Sequence, residues 1–182
     1  MAALLFLLDS LLGVAQFVFL VRLLLQWARG DFRNPLAQAI VQITNPVLVP
    51  LRRALPAIGR VDTASVVIVV ALALVRATVP ALLGQEPHQT LLALSFGAAV
   101  QLLSFVLWIY FYAIFLYSML SLIAPGTYSP AQALLATLCE PVLRPLRRRI
   151  PPISNIDLSP LWAGILIVAL VKLLPELLRL LP

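Results

Sequence analysis

The sequence predicts an all-α membrane protein of four transmembrane helices, arranged as two parallel tandem repeats. Each repeat is expected to carry a short interfacial helix and a proline-rich basic loop. Three observations lead there. First, the chain of 182 residues is 62% hydrophobic and 11% charged, where charged residues make up about a quarter of a typical soluble domain; its mean hydropathy is +1.04. Second, Pro46-Val47-Leu48-Val49-Pro50-Leu51-Arg52-Arg53 returns 95 residues later as Pro141-Val142-Leu143-Arg144-Pro145-Leu146-Arg147-Arg148. The match runs on without a gap through Pro56/Pro151, Ile58/Ile153 and Asp62/Asp157, so residues 46–62 hold ten identities with their partners. Third, nine of the 13 Lys and Arg residues fall in two segments between apolar runs: Arg29, Arg33, Arg52, Arg53, Arg60, Arg144, Arg147, Arg148 and Arg149.

The elements follow in chain order. Residues 6–27 are apolar enough for a first span, with Asp9, Gln16 and Arg22 inside it and Trp27 as an interfacial anchor. Asn34-Pro35 reads as an N-cap followed by proline at the first helical position, and Ser129-Pro130 repeats it. The segment 35–55 is expected at the interface, because residues 35–44 rise only about 15 Å as a helix, half of a ~30 Å hydrocarbon core. Gln38, Gln42 and Asn45 form one polar stripe on it. Pro46 and Pro50 are expected to break this helix, since each lacks an amide donor and crowds the preceding turn.

Residues 63–83 match the core thickness as a second span, with Arg76 inside. A short loop, 84–89, carries no Lys or Arg. The repeat register places the third span at about 96–122, with Leu91–Ser95 as a lead-in turn, and the second interfacial segment at 130–150. Ser159-Pro160 is expected to cap the fourth span, 158–180, which contains Lys172 and Glu176. The first repeat is then 1–88 and the second 89–182. An even number of passes per copy makes the copies parallel and puts both basic segments on one side. The positive-inside rule assigns that side to the cytoplasm and both termini to the outside.

The same composition excludes several functions. A pI near 10.5 reflects arginines at the ends of apolar runs, which fits a membrane face and not nucleic acid. One cysteine, Cys139, and one histidine, His88, leave no intramolecular disulfide and no histidine-based metal centre. No nucleophile–base pair or phosphate-cradling glycine loop stands out, so neither an enzyme nor a bound cofactor is expected.

The paired apolar repeats, the Asn/Ser-Pro starts and the doubled PVLxPLRR core ending in Pro-x-Ile-x-x-x-Asp resemble the YggT family of small bacterial membrane proteins, which has chloroplast relatives. The resemblance covers nearly the whole chain. Two loop positions differ between the copies: Glu140 stands against Asn45 and Arg144 against Val49. The resemblance implies no catalytic residue. It implies a multi-pass protein of the bacterial inner membrane, with roles in osmotic and ion homeostasis, in cell division or envelope organisation, or in haem attachment to a cytochrome complex.

Candidate residues are judged by their chemistry. Arg52, Arg53, Arg144, Arg147, Arg148 and Arg149 are expected to dock anionic lipid headgroups or a protein partner, because guanidinium groups grip phosphates and carboxylates bidentately. Asp62 and Asp157 are expected to cap the following helix or pair with a nearby arginine. Asp9 with Arg76, and Lys172 with Glu176, are expected as structural charge pairs at equivalent places in the two repeats. The expected function is a non-enzymatic envelope factor acting through its cytoplasmic basic loops. The alternatives are an oligomeric ion channel or transporter and a cell-division or haem-assembly factor. A homo-oligomer is compatible with each.

Overall fold

The computed structural model describes residues 2–55, 57, 62–82, 90–123, 129–150 and 157–179. Within them the chain is entirely helical: α1 (Ala2–Trp27), α2 (Pro35–Ala54), α3 (Thr63–Leu82), α4 (Leu91–Ile123), α5 (Pro130–Arg149) and α6 (Ser159–Arg179). The expected 84–89 loop, Arg60, His88 and the Pro56/Pro151 and Ile58/Ile153 positions lie outside the described residues. Three helices are long and apolar enough to cross a membrane, over Ala3–Trp27, Leu91–Ile123 and Ser159–Glu176, while Thr63–Val79 is a shorter apolar helix.

Apolar side chains cover the outside of the long helices. Phe6, Leu11, Phe115, Leu161 and Ile165 are exposed, an arrangement that suits lipid contact and would be costly in water. The core is small and sits where the helices converge: Leu20 and Leu25 from α1, Ile109, Ala113 and Ile114 from α4, Leu138 and Leu143 from α5, and Ala163 and Ile167 from α6. α4 is the hub, packing on α3, α5 and α6. Its approach to α6 is close at Gly164, where a Cβ would lie 3.6 Å from the Phe111 ring. α4 is continuous from Leu91, so the expected lead-in turn is helical, and its 33 residues span about 50 Å.

The largest correction concerns the prolines. α2 and α5 each run unbroken for 20 residues, through Pro46 and Pro50 and through Pro141 and Pro145. The expected basic loops are therefore the last turns of two helices, which hold Arg52 and Arg53, and Arg147, Arg148 and Arg149. A proline inside a helix removes one donor and costs about 3 kcal/mol, so something must offset it. The four-residue spacing places both defects in α2 on one row, Gln42, Pro46 and Pro50, and that row is exposed. The carbonyls left without a donor can be solvated there. The opposite face is held by burial of Ala37, Thr44 and Leu48. In α5 Leu138, Cys139 and Leu143 are buried in the same way.

Starts and ends of the helices also differ in detail. Asn34 caps α2 as expected, accepting from the Leu36 amide at 2.9 Å. Ser129 makes no side-chain cap bond on α5. Ser159 is the first residue of α6, not its cap: its amide donates to Asp157 Oδ1 at 2.9 Å. α1 ends in a Schellman motif, with the Gly30 amide donating to Leu25 O at 2.7 Å and the Arg29 amide to Gln26 O at 3.2 Å. The left-handed position of that motif is Arg29, at φ 56°. Glycine fits this position freely, whereas a side chain there costs about 1–2 kcal/mol.

Candidate functional site

The duplicated signature builds the same contact twice. The last turn of α2 presents Arg52 and the residue before α3 presents Asp62. Arg52 Nε donates to both carboxylate oxygens at 3.2 and 3.3 Å and Nη2 to Oδ2 at 2.5 Å. Ser65 Oγ donates to the same Oδ2 at 2.6 Å from the first turn of α3. In the second copy, Arg147 Nε donates to Asp157 Oδ2 at 2.8 Å. Each pair spans ten residues and latches the end of a proline-bearing helix to the start of the next apolar one. This gives the Arg52/Asp62 and Arg147/Asp157 identities a common geometry.

The two latches differ in surroundings. The Asp62 carboxylate is 3% exposed and Arg52 41%, whereas Arg147 and Asp157 are 36% and 41% exposed. Burial alone would raise the Asp62 pKa, but the bonds from Arg52 and Ser65 outweigh it and hold the group below its ordinary value. Asp157 behaves likewise: burial raises it, and Arg147 with the Ser159 amide brings it below that value. Arg147 also reaches Glu140 Oε2 at 3.4 Å, a contact unavailable in the first copy, where Asn45 occupies the equivalent place.

Above the first latch lies a cluster that the sequence does not announce. Arg22 of α1 is 5% exposed, and its Nη1 donates to Asn45 Oδ1 at 3.0 Å, to Val41 O at 3.3 Å and to Thr44 Oγ1. Thr44 in turn donates to Ile40 O at 2.6 Å. An arginine in an apolar helix is costly unless its donors find acceptors, and α2 supplies three to Nη1. Adding 95 takes Arg22 to Tyr117 and Thr44 to Cys139, so the second copy lacks the cluster. Cys139 is a fully buried packing residue, its thiol pushed up to about 12, mainly by burial.

Further along α1, Asp9 and Arg76 meet. Arg76 Nε donates to Asp9 Oδ1 at 2.8 Å and Nη2 to Oδ2 at 3.1 Å, while Nη1 reaches Gln16 Oε1 at 2.9 Å. The guanidinium packs over Gly13, where a Cβ would lie in ordinary van der Waals contact, 3.5 Å from its carbon. The Phe105 ring of α4 lies 5.8 Å from the same carbon. Lys172 and Glu176 form no ion pair among the described residues, although their spacing allows one. The repeats are not equivalent here either: the 95-residue offset takes Asp9 to Ser104 and Arg76 to Val171.

The remaining predicted arginines, Arg53, Arg144, Arg148 and Arg149, are exposed. α2 and α5 touch at their opposite, N-terminal ends, where Asn34 Nδ2 donates to Pro130 O at 2.7 Å. The described contact between these helices thus leaves their arginine turns apart from it. Among the described residues no group of three or more His, Cys, Asp or Glu could hold a metal.

Comparison with known proteins gives this architecture a family. The chain is 35% identical over 162 residues to an uncharacterized protein, PA0392, of Pseudomonas aeruginosa, covering 88% of this chain and 82% of that one. It is 34% identical to the uncharacterized protein YggT of Escherichia coli K12, covering 88% and 83%. An uncharacterized protein of Haemophilus influenzae is 30% identical over 170 residues, covering 93% and 90%. No solved structure matches the chain. The CCB3/YggT family model matches twice, over residues 1–83 and 96–178, two windows of equal length offset by the same 95 residues as the signature. The chain is a membrane protein that belongs to the CCB3/YggT family.

Proposed function

We propose that this protein is a non-enzymatic, multi-pass factor of the bacterial inner membrane, whose two arginine turns dock anionic lipid headgroups or a protein partner. In this reading α1, α3, α4 and α6 are four spans in two parallel repeats. The arginine turns face the cytoplasm, and the termini and the 84–89 loop lie outside. The doubled Arg–Asp latch carries the reading. It fixes the last turn of each proline-bearing helix against the next span, and leaves Arg53, Arg148 and Arg149 exposed at a defined height. Guanidinium groups held in that way suit phosphates or carboxylates, each basic residue contributing about 1 kcal/mol at an anionic surface. The cellular role is support of osmotic and ion balance or of membrane-complex assembly.

Two experiments test this. Cysteines placed in 84–89, in a Cys139→Ser background, should react with an impermeant thiol reagent in intact cells, and cysteines at Arg53 or Arg148 should not. Changing Arg52, Arg53, Arg147 and Arg148 to Lys keeps the positive-inside charge but removes bidentate contact. Insertion should survive while rescue of a deletion strain under osmotic stress weakens. Full rescue by the Lys variant would reduce the arginines to topology signals.

A further inference from the structure

A second feature lies beside the first latch and is not part of the arginine turns. A groove of about 490 Å³ runs between the end of α1 and the start of α3. Leu23, Leu24, Trp27 and Val66 line it with apolar side chains, and Gln26, Arg29 and Asp62 with polar ones. It lies where two apolar helices end, the level at which tryptophan and phospholipid headgroups meet.

Two observations indicate what the groove takes. The first is charge. The lining carboxylate, Asp62, is already engaged by Arg52 and Ser65, whereas the Arg29 guanidinium has no acceptor among the described residues. Arg22 and Arg52 both act on that single carboxylate, so the surroundings keep a positive excess before Arg29 is added. An anion is favoured, and the ammonium of a zwitterionic headgroup finds no free carboxylate in the lining. The second observation is the backbone. Arg29 holds the left-handed position of the α1 Schellman motif at φ 56°, where glycine would serve the cap with less strain. A side chain kept at a disfavoured backbone position, and lining a groove, points to use of that side chain.

We propose that this groove binds one anionic phospholipid, with its phosphate on Arg29 and the upper part of an acyl chain along Leu23, Leu24, Trp27 and Val66. The site is separate from the docking role of the arginine turns, and either can fail without the other. It makes the first repeat lipid-specific through a residue outside the duplicated signature; the 95-residue offset takes Arg29 to Ala124.

Trp27 supplies the readout. With Trp108 and Trp162 replaced by Phe, the protein purified in dodecyl maltoside is titrated with dihexanoyl-phosphatidylglycerol, dihexanoyl-phosphatidylcholine and inorganic phosphate. Phosphatidylglycerol should shift Trp27 emission saturably, phosphatidylcholine should bind at least tenfold more weakly, and phosphate alone should give no shift. Arg29→Gly should weaken phosphatidylglycerol at least tenfold while the melting temperature stays equal or rises. Because the glycine relieves the backbone, loss of binding cannot be ascribed to unfolding. Equal binding of phosphatidylglycerol by Arg29→Gly, or of phosphatidylcholine by the parent, overturns the proposal. A phosphate response equal to that of phosphatidylglycerol overturns the lipid as the ligand.

Discussion

The duplicated Arg–Asp latch should not be worth the same in its two copies, and a pair of double-mutant cycles measures the difference. In the first copy the Asp62 carboxylate is 3% exposed, so removing Arg52 strands a charge away from water. Breaking a fully buried pair costs about 3–5 kcal/mol. Here Arg52 is more than a third exposed and solvent already screens it, while Asp62 keeps its Ser65 bond. The expected coupling between Arg52→Ala and Asp62→Asn is therefore about 2 kcal/mol. The second pair is exposed on both sides, and its coupling should fall within about 0.2–1 kcal/mol. The single variants carry a further sign. Arg52→Ala should cost more than Asp62→Asn, because the latter leaves a half-exposed guanidinium that water can solvate. Equilibrium unfolding in mixed micelles, followed by circular dichroism, gives all six stabilities with the parent. Equal couplings, or a larger one at Arg147–Asp157, would refute the argument that burial sets the strength of the latch.

Other outcomes follow from the same geometry. Asp62 is held below its ordinary value of 3.8, so its contribution is complete above that pH and lost as pH falls through the lower folded value. The stability gap between parent and Asp62→Asn should therefore be full at pH 7 and should close below about pH 4, as read from unfolding midpoints across that range. Thr44→Val removes an acceptor from the buried Arg22 and should cost about 1–3 kcal/mol, whereas Thr137→Val, exposed to no such guanidinium, should cost less than half as much in the same assay. Pro46→Ala and Pro50→Ala restore donors to a helix that is already continuous, so each should leave stability unchanged or raise it by up to about 3 kcal/mol. A loss on thermal unfolding would mean that the ring packing matters more than the missing bond. Arg76→Gln removes contacts to Asp9, Gln16 and Phe105 together and should lower the melting temperature more than Asp9→Asn, whose carboxylate is 55% exposed.

How much of this could be read in advance depends on how local the cause is. Apolar run length locates the helices well: 63–83 and 158–180 became Thr63–Leu82 and Ser159–Arg179. The repeat also brought Arg52 and Asp62 into one frame, because ten residues of chain at a helix end keep them close. The prolines misled because their local penalty is real, and what offsets it is tertiary: the burial of Thr44 and Leu48 and the solvated row through Gln42. Arg22 was visible as a charge in an apolar helix, but Thr44 and Asn45 stand more than twenty residues away, and nothing in their spacing links them. Gln16 was missed for the same reason, being a partner of a residue 60 positions away. Arg29 was counted among the basic residues for its charge. Its left-handed backbone has no compositional mark, since the usual mark of that conformation is a glycine.

The length of α4 sets a condition on the membrane around it. At about 50 Å, this 33-residue helix tilted by 40°, the upper end of what spanning helices adopt, still covers about 38 Å of a ~30 Å hydrocarbon layer. At that tilt each residue rises about 1.15 Å along the membrane normal, so the excess of about 8 Å corresponds to roughly seven residues. Leu91–Ser95, the first residues of α4, lie ahead of Phe96, where the second family match begins. Leu91 and Leu92 there are 87% and 79% exposed. In a thicker bilayer α4 can stand more upright and draw these leucines into lipid. Membrane thickness thereby becomes a variable that sets the tilt of α4 against the helices packed on it.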